Sequence, residues 1–278
     1  MTLDENLSAG LADRYRQLQE LVGTFRHPLV AYSGGVDSTL LLKVALDTLG
    51  PDYVVAVLGT GCLQPQAESD GAMRLADELG VGIEILIRRE LDVSGVAANA
   101  PDRCYHCKKD LFEHLAVLAR RRHCDAILVG SNLDDDGDYR PGRRAEAEYN
   151  VRAPLREVGL TKADVRALSR HLGLPNWDKP AYACLATRVA YELGLTPERL
   201  GQVEQAERYL RDRGLTELRV RHHGNLARIE VPPDQMAGLV ESQRQELVEH
   251  FKGLGFVYVT LDLAGLRSGS QNEAIDTP

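Results

Sequence analysis

The sequence of 278 residues is short of several things. No run approaches the ~20 consecutive apolar residues of a membrane-spanning helix, so no membrane partner is expected. The opening MTLDENLSAGLADRYRQ is acidic where a secretory leader is basic and then apolar, and a cytoplasmic protein is expected. Basic charge is not in excess: 33 Lys and Arg stand against 41 Asp and Glu, a formal net charge of -8. Counterion release rewards clustered cations, so nucleic acid is a disfavoured partner. Cysteine is sparse and odd in number, with five residues. In a reducing compartment that excludes a disulfide framework and points to metal, catalytic or buried thiols. The GxxxxGK[ST] loop and the GxGxxG fingerprint are both absent, as are internal repeats and low-complexity stretches. What is present is 44% hydrophobic residues, ample for a core, in a length that suits one large domain or one plus a smaller partner.

Apolar periodicity predicts helices over 7–22, 40–49, 66–79 and about 108–122, with strands over 27–32, 53–58, 83–87 and 126–129 between them. Strands alternating with helices of this length predict an α/β fold, a parallel sheet covered on both faces, with its ligand at the carboxyl ends of the strands. Residues 131–150 are polar and without period, as a functional or mobile segment is. Thr161 with Asp164 reads as an N-cap for a helix ending at Gly173, and Thr196–Pro197 opens a helix to about residue 213. Strands over 217–221, 227–231 and 256–261, with a helix over about 234–252, make a small C-terminal α+β unit. The boundary is placed at residue 188, giving domains 1–188 and 189–278.

Between the first strand and its helix lies Ser33-Gly34-Gly35-Val36-Asp37-Ser38. There, backbone N–H groups and the positive helix end converge on an anion. The glycines let the main chain approach a phosphate, Ser33 and Ser38 add hydroxyls, and Asp37 suits Mg²⁺. The plain alternative is a tight turn. In its context, SGGxDS resembles the pyrophosphate-binding motif of the PP-loop ATP pyrophosphatases, which adenylylate an oxyanion and release pyrophosphate. Gly130, at the carboxyl end of the fourth strand, faces the same edge of the sheet.

Cys104 and Cys107 stand in Cys-Tyr-His-Cys directly before a helix, and Cys184 lies far down the chain in Ala-Cys-Leu-Ala-Thr-Arg. Thiolates so spaced suit a soft metal or an iron–sulfur cluster. A redox pair or half a zinc site, with His106 or His114 as a further ligand, fits the spacing too. Cys124 reads as a small core residue, and Cys62 as structural or pocket-facing. Asp134, Asp135, Asp136 and Asp138 cluster beside Arg140, Arg143 and Arg144, either as a solvated face or to serve an anionic substrate. In the C-terminal unit Arg219, Arg221 and Arg228 fall on adjacent strands, the first two on one face. With Glu207 and Glu230 they suit either a phosphate and ribose or a cross-strand ion-pair ladder. Leu239, Val240 and Leu247 read as exposed apolar positions of the C-terminal helix and permit a self-interface, so a homo-oligomer is expected.

Several segments together, AYSGGVDSTLLLKVALDTLG, PDRCYHCKKDLF, GSNLDDDGDYRPGRRA, TKADVRALSRHLGLPNWDKPAYACLATR, RVRHHGNLARIEV and YVTLDLAGLRSG, resemble the LarE family of ATP-dependent sulfur transferases. The resemblance spans about residues 20–270 and implies a PP-loop domain followed by a small substrate-binding and oligomerisation domain. It implies adenylylation of the carboxylates of pyridinium-3,5-biscarboxylic acid mononucleotide and their conversion to thiocarboxylates, for the nickel-pincer nucleotide of lactate racemase. One branch of the family sacrifices the sulfur of one cysteine; another holds a [4Fe-4S] cluster on three, with an extra sulfide to transfer. Cys104, Cys107 and Cys184 match the cluster branch, and the source of the sulfide is not identified by the match. ATP would lie on Ser33, Gly34, Gly35, Asp37, Ser38 and Gly130. Arg188, Glu207, Arg219, Arg221, Glu230 and Arg267 fall on positions around the nucleotide substrate. The family pattern Arg-x-Pro-Tyr-Gly is replaced here by Arg188-Val189-Ala190-Tyr191-Glu192. A PP-loop tRNA thiolase and an ammonia-using PP-loop ligase are the alternatives; the acidic charge argues against the first and the three cysteines against the second.

Overall fold

Along β1 (Leu29–Tyr32) side chains alternate between two apolar layers, Leu29 to one and Val30 and Tyr32 to the other, because successive residues of a strand face opposite ways. The computed structural model describes residues 7–137, 142–180, 183–267 and 270–271. Among them the further strands are β2 (Val55–Thr60), β3 (Ile83–Ile87), β4 (Ile127–Leu128), β5 (Arg219–His223), β6 (Leu226–Glu230) and β7 (Tyr258–Leu261). The helices are α1 (Ala9–Val22), α2 (Val36–Leu49), α3 (Gln66–Glu78), α4 (Ser94–Ala97), α5 (Arg103–Arg121), α6 (Gly142–Glu148), α7 (Pro154–Glu157), α8 (Lys162–His171), α9 (Pro197–Arg211), α10 (Pro233–Ser242) and α11 (Arg244–Gly253). The chain forms two compact units that interleave in sequence: residues 1–88 with 104–182, and residues 89–103 with 183–278.

The first unit is built on a parallel sheet in the order β3-β2-β1-β4. Val30, Tyr32, Ala56, Leu58 and Leu128 pack with α1, α2 and α8 on one face. Leu29, Val57 and Ile127 pack with Phe112, Leu115 and Ala119 of α5 on the other. The edge strand β3 is less covered, and Ile87 is 80% exposed. Connections leave β1 toward β2 on one side while β4 pairs on the other, so the strand order reverses between β1 and β4. Crevices at such a switch point, at the carboxyl ends of the strands, are where open α/β sheets bind ligands.

The second unit pairs β5 with β6 antiparallel and β6 with β7 parallel. Its core joins Ala206 and Leu210 of α9 to Val220, Ala227 and Ile229 of the sheet and to Leu239, Leu247 and Phe251. The helix expected over 234–252 is broken at Gln243 (φ -123°, ψ -2°) into α10 and α11. The break lets each half bury its own apolar side chain. It also corrects the reading of this surface: Leu239 and Leu247 are core residues, 5% and 6% exposed, and only Val240 of the three is exposed.

Candidate active site

Three residues, Ser33 to Gly35, join β1 to α2. Gly35 is the N-cap (φ -77°, ψ 160°), and the helix starts at Val36, four residues before the apolar period indicates. Asp37 and Ser38 therefore lie in its first turn. Gly34 has φ +69°, and a Cβ there would lie 2.5 Å from Cβ and 2.8 Å from Cα of Ala72 on α3, so the loop passes that helix only as glycine. The Ser33 N–H donates to Ser38 Oγ at 3.1 Å, and the two hydroxyls are 3.0 Å apart. Gly130 closes the other side. A Cβ on it would meet Ser38 N at 2.7 Å and Asp37 C at 2.9 Å, so the end of β4 touches the start of α2.

Asp37 Oδ1 accepts from Asn132 Nδ2 at 2.9 Å, and its other oxygen pairs with the Lys162 ammonium. Lys162 opens α8, whose capping box joins Thr161 and Asp164 as their spacing implies. The two acidic loop residues with described side chains serve the backbone. Asp134 accepts from the Lys162 N–H at 2.9 Å and Asp135 from the Asn132 N–H at 3.0 Å. Asp138 and Arg140 and the side chains of Asp136 and Arg143 lie outside the described residues. Arg144 sits 3.6 Å from the Tyr105 ring centroid and donates to Glu148.

Into this arrangement opens a cavity of about 560 Å³, lined at its polar side by Ser33, Gly35, Asp37, Ser38, Asn132 and Lys162, and at its apolar side by Val57, Leu111, Phe112, Leu115 and Val129. Anion-binding loop and apolar slot together suit a nucleotide, with phosphates on one and base in the other. Lys108, also on the wall, is held by Glu146 at 2.8 Å, which accepts further bonds from Arg156 and Ser131. Burial raises the Glu146 pKa, but Lys108, Arg156 and Ser131 outweigh it and hold the carboxyl below its ordinary value. Behind the loop, Asn176 Nδ2 donates to the Gly34 carbonyl (3.2 Å) and to Thr39 Oγ1 (3.0 Å), while Lys179 reaches Gly34 O (3.4 Å) and pairs with Glu68 (2.8 Å). Sequence reasoning singled out none of Arg88, Lys108, Asn132, Lys162, Asn176 and Lys179. For Asn132 a signal was there, two residues past Gly130 at a strand's carboxyl end; for the others only the fold supplies one.

Cys104 and Cys107 lie within α5, not before it, because nothing between Arg103 and Cys107 breaks a helix; three residues apart, they share a face. Arg88, at 8% side-chain exposure, donates to the Cys107 carbonyl at 2.7 Å and to its Sγ at 3.5 Å, braced by Asp110 at 2.8 Å. Cys184, in the second unit, caps a short 3₁₀ turn over Leu185–Arg188. Among the described residues no group of three or more His, Cys, Asp or Glu gathers as a metal site. Cys62 is exposed. Cys124 packs against the core around α5, and burial pushes its thiol up to about 11, as befits a small core residue.

In the second unit, Arg188 and Glu207 are both fully buried and paired at 2.9 Å. Glu207 also accepts from Arg211 (2.6 Å) and the Val220 N–H (3.1 Å). Its burial raises the pKa, but Arg188 and Arg211 hold it below the carboxylate range. Arg221 forks onto Glu230 at 3.0 and 2.9 Å and also reaches Ser270 Oγ and the Thr187 carbonyl. Arg228 pairs with Glu230 at 3.0 Å, and Arg228 and Arg267 each lie 3.5 Å from Asp262. Arg219 donates to the Leu218 carbonyl. The arginines and glutamates form one ion-pair cluster, in which Arg188 and Arg221 are buried in pairs while Arg228 and Arg267 stay about one third exposed.

No family model matches the chain. Over 268 residues, 96% of each protein, it is 40% identical to the pyridinium-3,5-bisthiocarboxylic acid mononucleotide synthase of Lactiplantibacillus plantarum. The chain belongs to the LarE family. It is also 42% identical over 266 residues, 95% of this chain and 99% of the other, to an uncharacterized protein of Synechocystis. A shorter relationship, 30% identity over 194 residues, joins 55% of it to 52% of a tRNA-specific 2-thiouridylase of Desulforamulus reducens. Within the LarE frame the altered Arg-x-Pro-Tyr-Gly segment has a physical account. Glu192, where the pattern has glycine, keeps a left-handed backbone at φ +64°. Ala190, in place of proline, uses its N–H to bond the His222 carbonyl at 3.0 Å. The fully buried Asn99 gives its amide to the carbonyls of Val189 (3.2 Å), Ala190 (2.8 Å) and Leu193 (3.2 Å).

Proposed function

We propose that this LarE-family chain is an ATP-dependent sulfur transferase that adenylylates the carboxylates of pyridinium-3,5-biscarboxylic acid mononucleotide and converts them to thiocarboxylates. The full-length identity to the synthase carries the reading, and the loop at the start of α2 supports its ATP half. A carboxylate is a poor acyl donor because its oxygen leaves badly; as an acyl-adenylate it offers AMP instead. The amides of the first turn of α2, with Ser33, Ser38 and Lys162, would bind the phosphates and stabilise charge developing on pyrophosphate. Asp37 is a hard oxygen donor on the cavity wall and would hold Mg²⁺, which when bound neutralises that charge. Arg219, Arg228 and Arg267 would meet the substrate's phosphate, with Arg221, Glu230, Arg188 and Glu207 behind or beside them.

For the sulfur, the donor set of Cys104, Cys107 and Cys184 fits iron by its chemistry, and the Arg88 N–H on the Cys107 sulfur is the kind of bond that tunes cluster ligands. A [4Fe-4S] cluster on these cysteines would supply a transferable sulfide, replenished by an external sulfide source. We place the protein in the cytoplasm as a homo-oligomer. The test is incubation of anaerobically reconstituted protein with ATP, Mg²⁺ and the pyridinium nucleotide. Pyrophosphate release that depends on the nucleotide, with a thiocarboxylate product by mass spectrometry, is expected; release with no sulfur incorporated would refute the transferase reading. Absence of iron after reconstitution would remove the cluster and leave the adenylylation.

A further inference from the structure

The carbonyl of Cys184 is held by three donors. It accepts from the Thr187 N–H at 3.0 Å, from Thr187 Oγ1 at 2.7 Å and from Arg188 Nη1 at 3.3 Å. The same Nη1 reaches the carbonyl of Ala183 at 2.8 Å and Thr187 Oγ1 at 2.8 Å. Arg188 cannot swing away from them, because Glu207 binds its Nε at 2.9 Å and is itself anchored by Arg211 and the Val220 N–H of β5. Arg188 and Glu207 are both 0% exposed, so neither offers a surface to a small-molecule ligand in this conformation. Thr187 is tied in on its other side, since its carbonyl accepts from Arg221 at 2.6 Å. Cys184 itself is half-buried, with extended backbone angles of φ -60° and ψ 154°.

We propose that Thr187 and the Arg188–Glu207 pair are positioning residues that fix the backbone of Cys184 and thereby aim its sulfur, and that they do so without touching substrate. With the carbonyls of Ala183 and Cys184 both held, the peptide planes on either side of Cys184 are fixed, and with them φ, ψ and the direction of the Cα–Cβ bond that carries the sulfur. The arrangement makes sense of a fully buried ion pair. Such a pair adds little net stability over apolar packing, but its two-point contact adds geometric specificity, and a misplacement of about 1 Å at a reacting atom costs on the order of 10²-fold in rate. Where sulfur transfer is concerned, the inference rests on the proposed function; where the order of the Cys184 segment is concerned, it stands by itself.

The experiment compares the whole protein with Thr187→Val, Thr187→Ser and Arg188→Lys. Two readouts need no turnover: amide exchange over residues 183–188, and the rate at which iodoacetamide alkylates Cys184 in cluster-free protein, followed by mass spectrometry. Thr187→Val removes one hydroxyl donor at constant size and is the variant least able to disturb folding, which circular dichroism checks. We expect faster exchange over the segment, an alkylation rate shifted several-fold, and a kcat for thiocarboxylate formation lower by about tenfold. KM for the pyridinium nucleotide should move less than twofold, and Thr187→Ser should restore all of these. A raised KM with kcat preserved in Arg188→Lys would overturn the proposal in favour of substrate contact. Wild-type exchange and alkylation in Thr187→Val would overturn it outright. If instead the wild-type protein releases no pyrophosphate with the pyridinium nucleotide, the proposed function fails, while the exchange and alkylation data still decide the positioning role.

Discussion

Acid should weaken the second unit, and most of all through one imidazole. His222 on β5 is 2% exposed, and its Nε2 lies 2.9 Å from the Gln202 side-chain oxygen, so that nitrogen carries the proton of the neutral ring. The other nitrogen, Nδ1, is buried without a hydrogen-bond partner among the described residues, and the Phe256 ring lies 5.1 Å away. A second proton would put a cation and an orphan N–H in this site. Burial above all, then the charge of Arg199 and the neighbouring His223, push its pKa down from 6.5 to about 4. The unfolded chain therefore takes up a proton below pH 6.5 that the folded chain refuses until about pH 4. Stability from this group is complete above 6.5 and is lost as pH falls through that window. At ~1.4 kcal/mol per unit the full loss is roughly 3 kcal/mol. The assay is urea unfolding of wild type and His222→Gln between about pH 7 and pH 4.5, followed by circular dichroism, with amide exchange in β5 as the local probe. His223 and His250 also have lowered pKa values, but both proteins contain them, so the difference in slope isolates His222. Wild type should lose on the order of 2–3 kcal/mol more than the variant across the window. Equal slopes would refute the reasoning.

Other perturbations test the first unit and the altered loop. Gly34→Ala forces a Cβ onto Ala72 at a left-handed backbone. Strain of about 1 kcal/mol and overpacking of roughly 1–3 should lower the melting temperature by several degrees, and an unchanged melt would contradict the close approach. Lys162→Met removes the ammonium beside Asp37 and should weaken ATP binding by about tenfold or more in calorimetry, with Lys162→Arg intermediate; unchanged affinity would place Lys162 away from the phosphates. Glu192→Gly relieves a left-handed glutamate and should stabilise the protein by up to ~1 kcal/mol in a urea melt. A loss of stability would mean that the Glu192 side chain contributes more than its backbone costs.

The parallel sheet, its two covered faces and the phosphate loop were legible because each is a local pattern. A strand of alternating burial, two glycines and a helix start leave marks at neighbouring positions. Helix starts were less legible. Both α2 and α5 begin several residues before the apolar period does, since the first turn of a helix can form from polar residues that leave no apolar mark. No glycine or proline marks Gln243, so the pattern implies one continuous helix and puts two core leucines on its surface. Lys162, Asn176 and Arg88 escaped for another reason. Lys162 and Asn176 lie 125 and 142 residues from the loop residues they touch, and Arg88 lies 19 from its cysteine; only the packing of α5 and α8 on the sheet brings them there.

The interleaving of the two units has a consequence for anyone cutting the gene. Residues 89–103 are made before the first unit has received β4, yet their partners arrive last. A fragment ending at residue 182 would retain Asn99 but discard the Val189, Ala190 and Leu193 carbonyls that its amide serves. It would also leave the Arg103 guanidinium, bonded to Asn99 Oδ1 at 2.7 Å, without Tyr191 beneath it. Neither unit is therefore a natural excision product. During synthesis the segment that leads into Cys104 must wait, unfinished, until nearly a hundred further residues have left the ribosome.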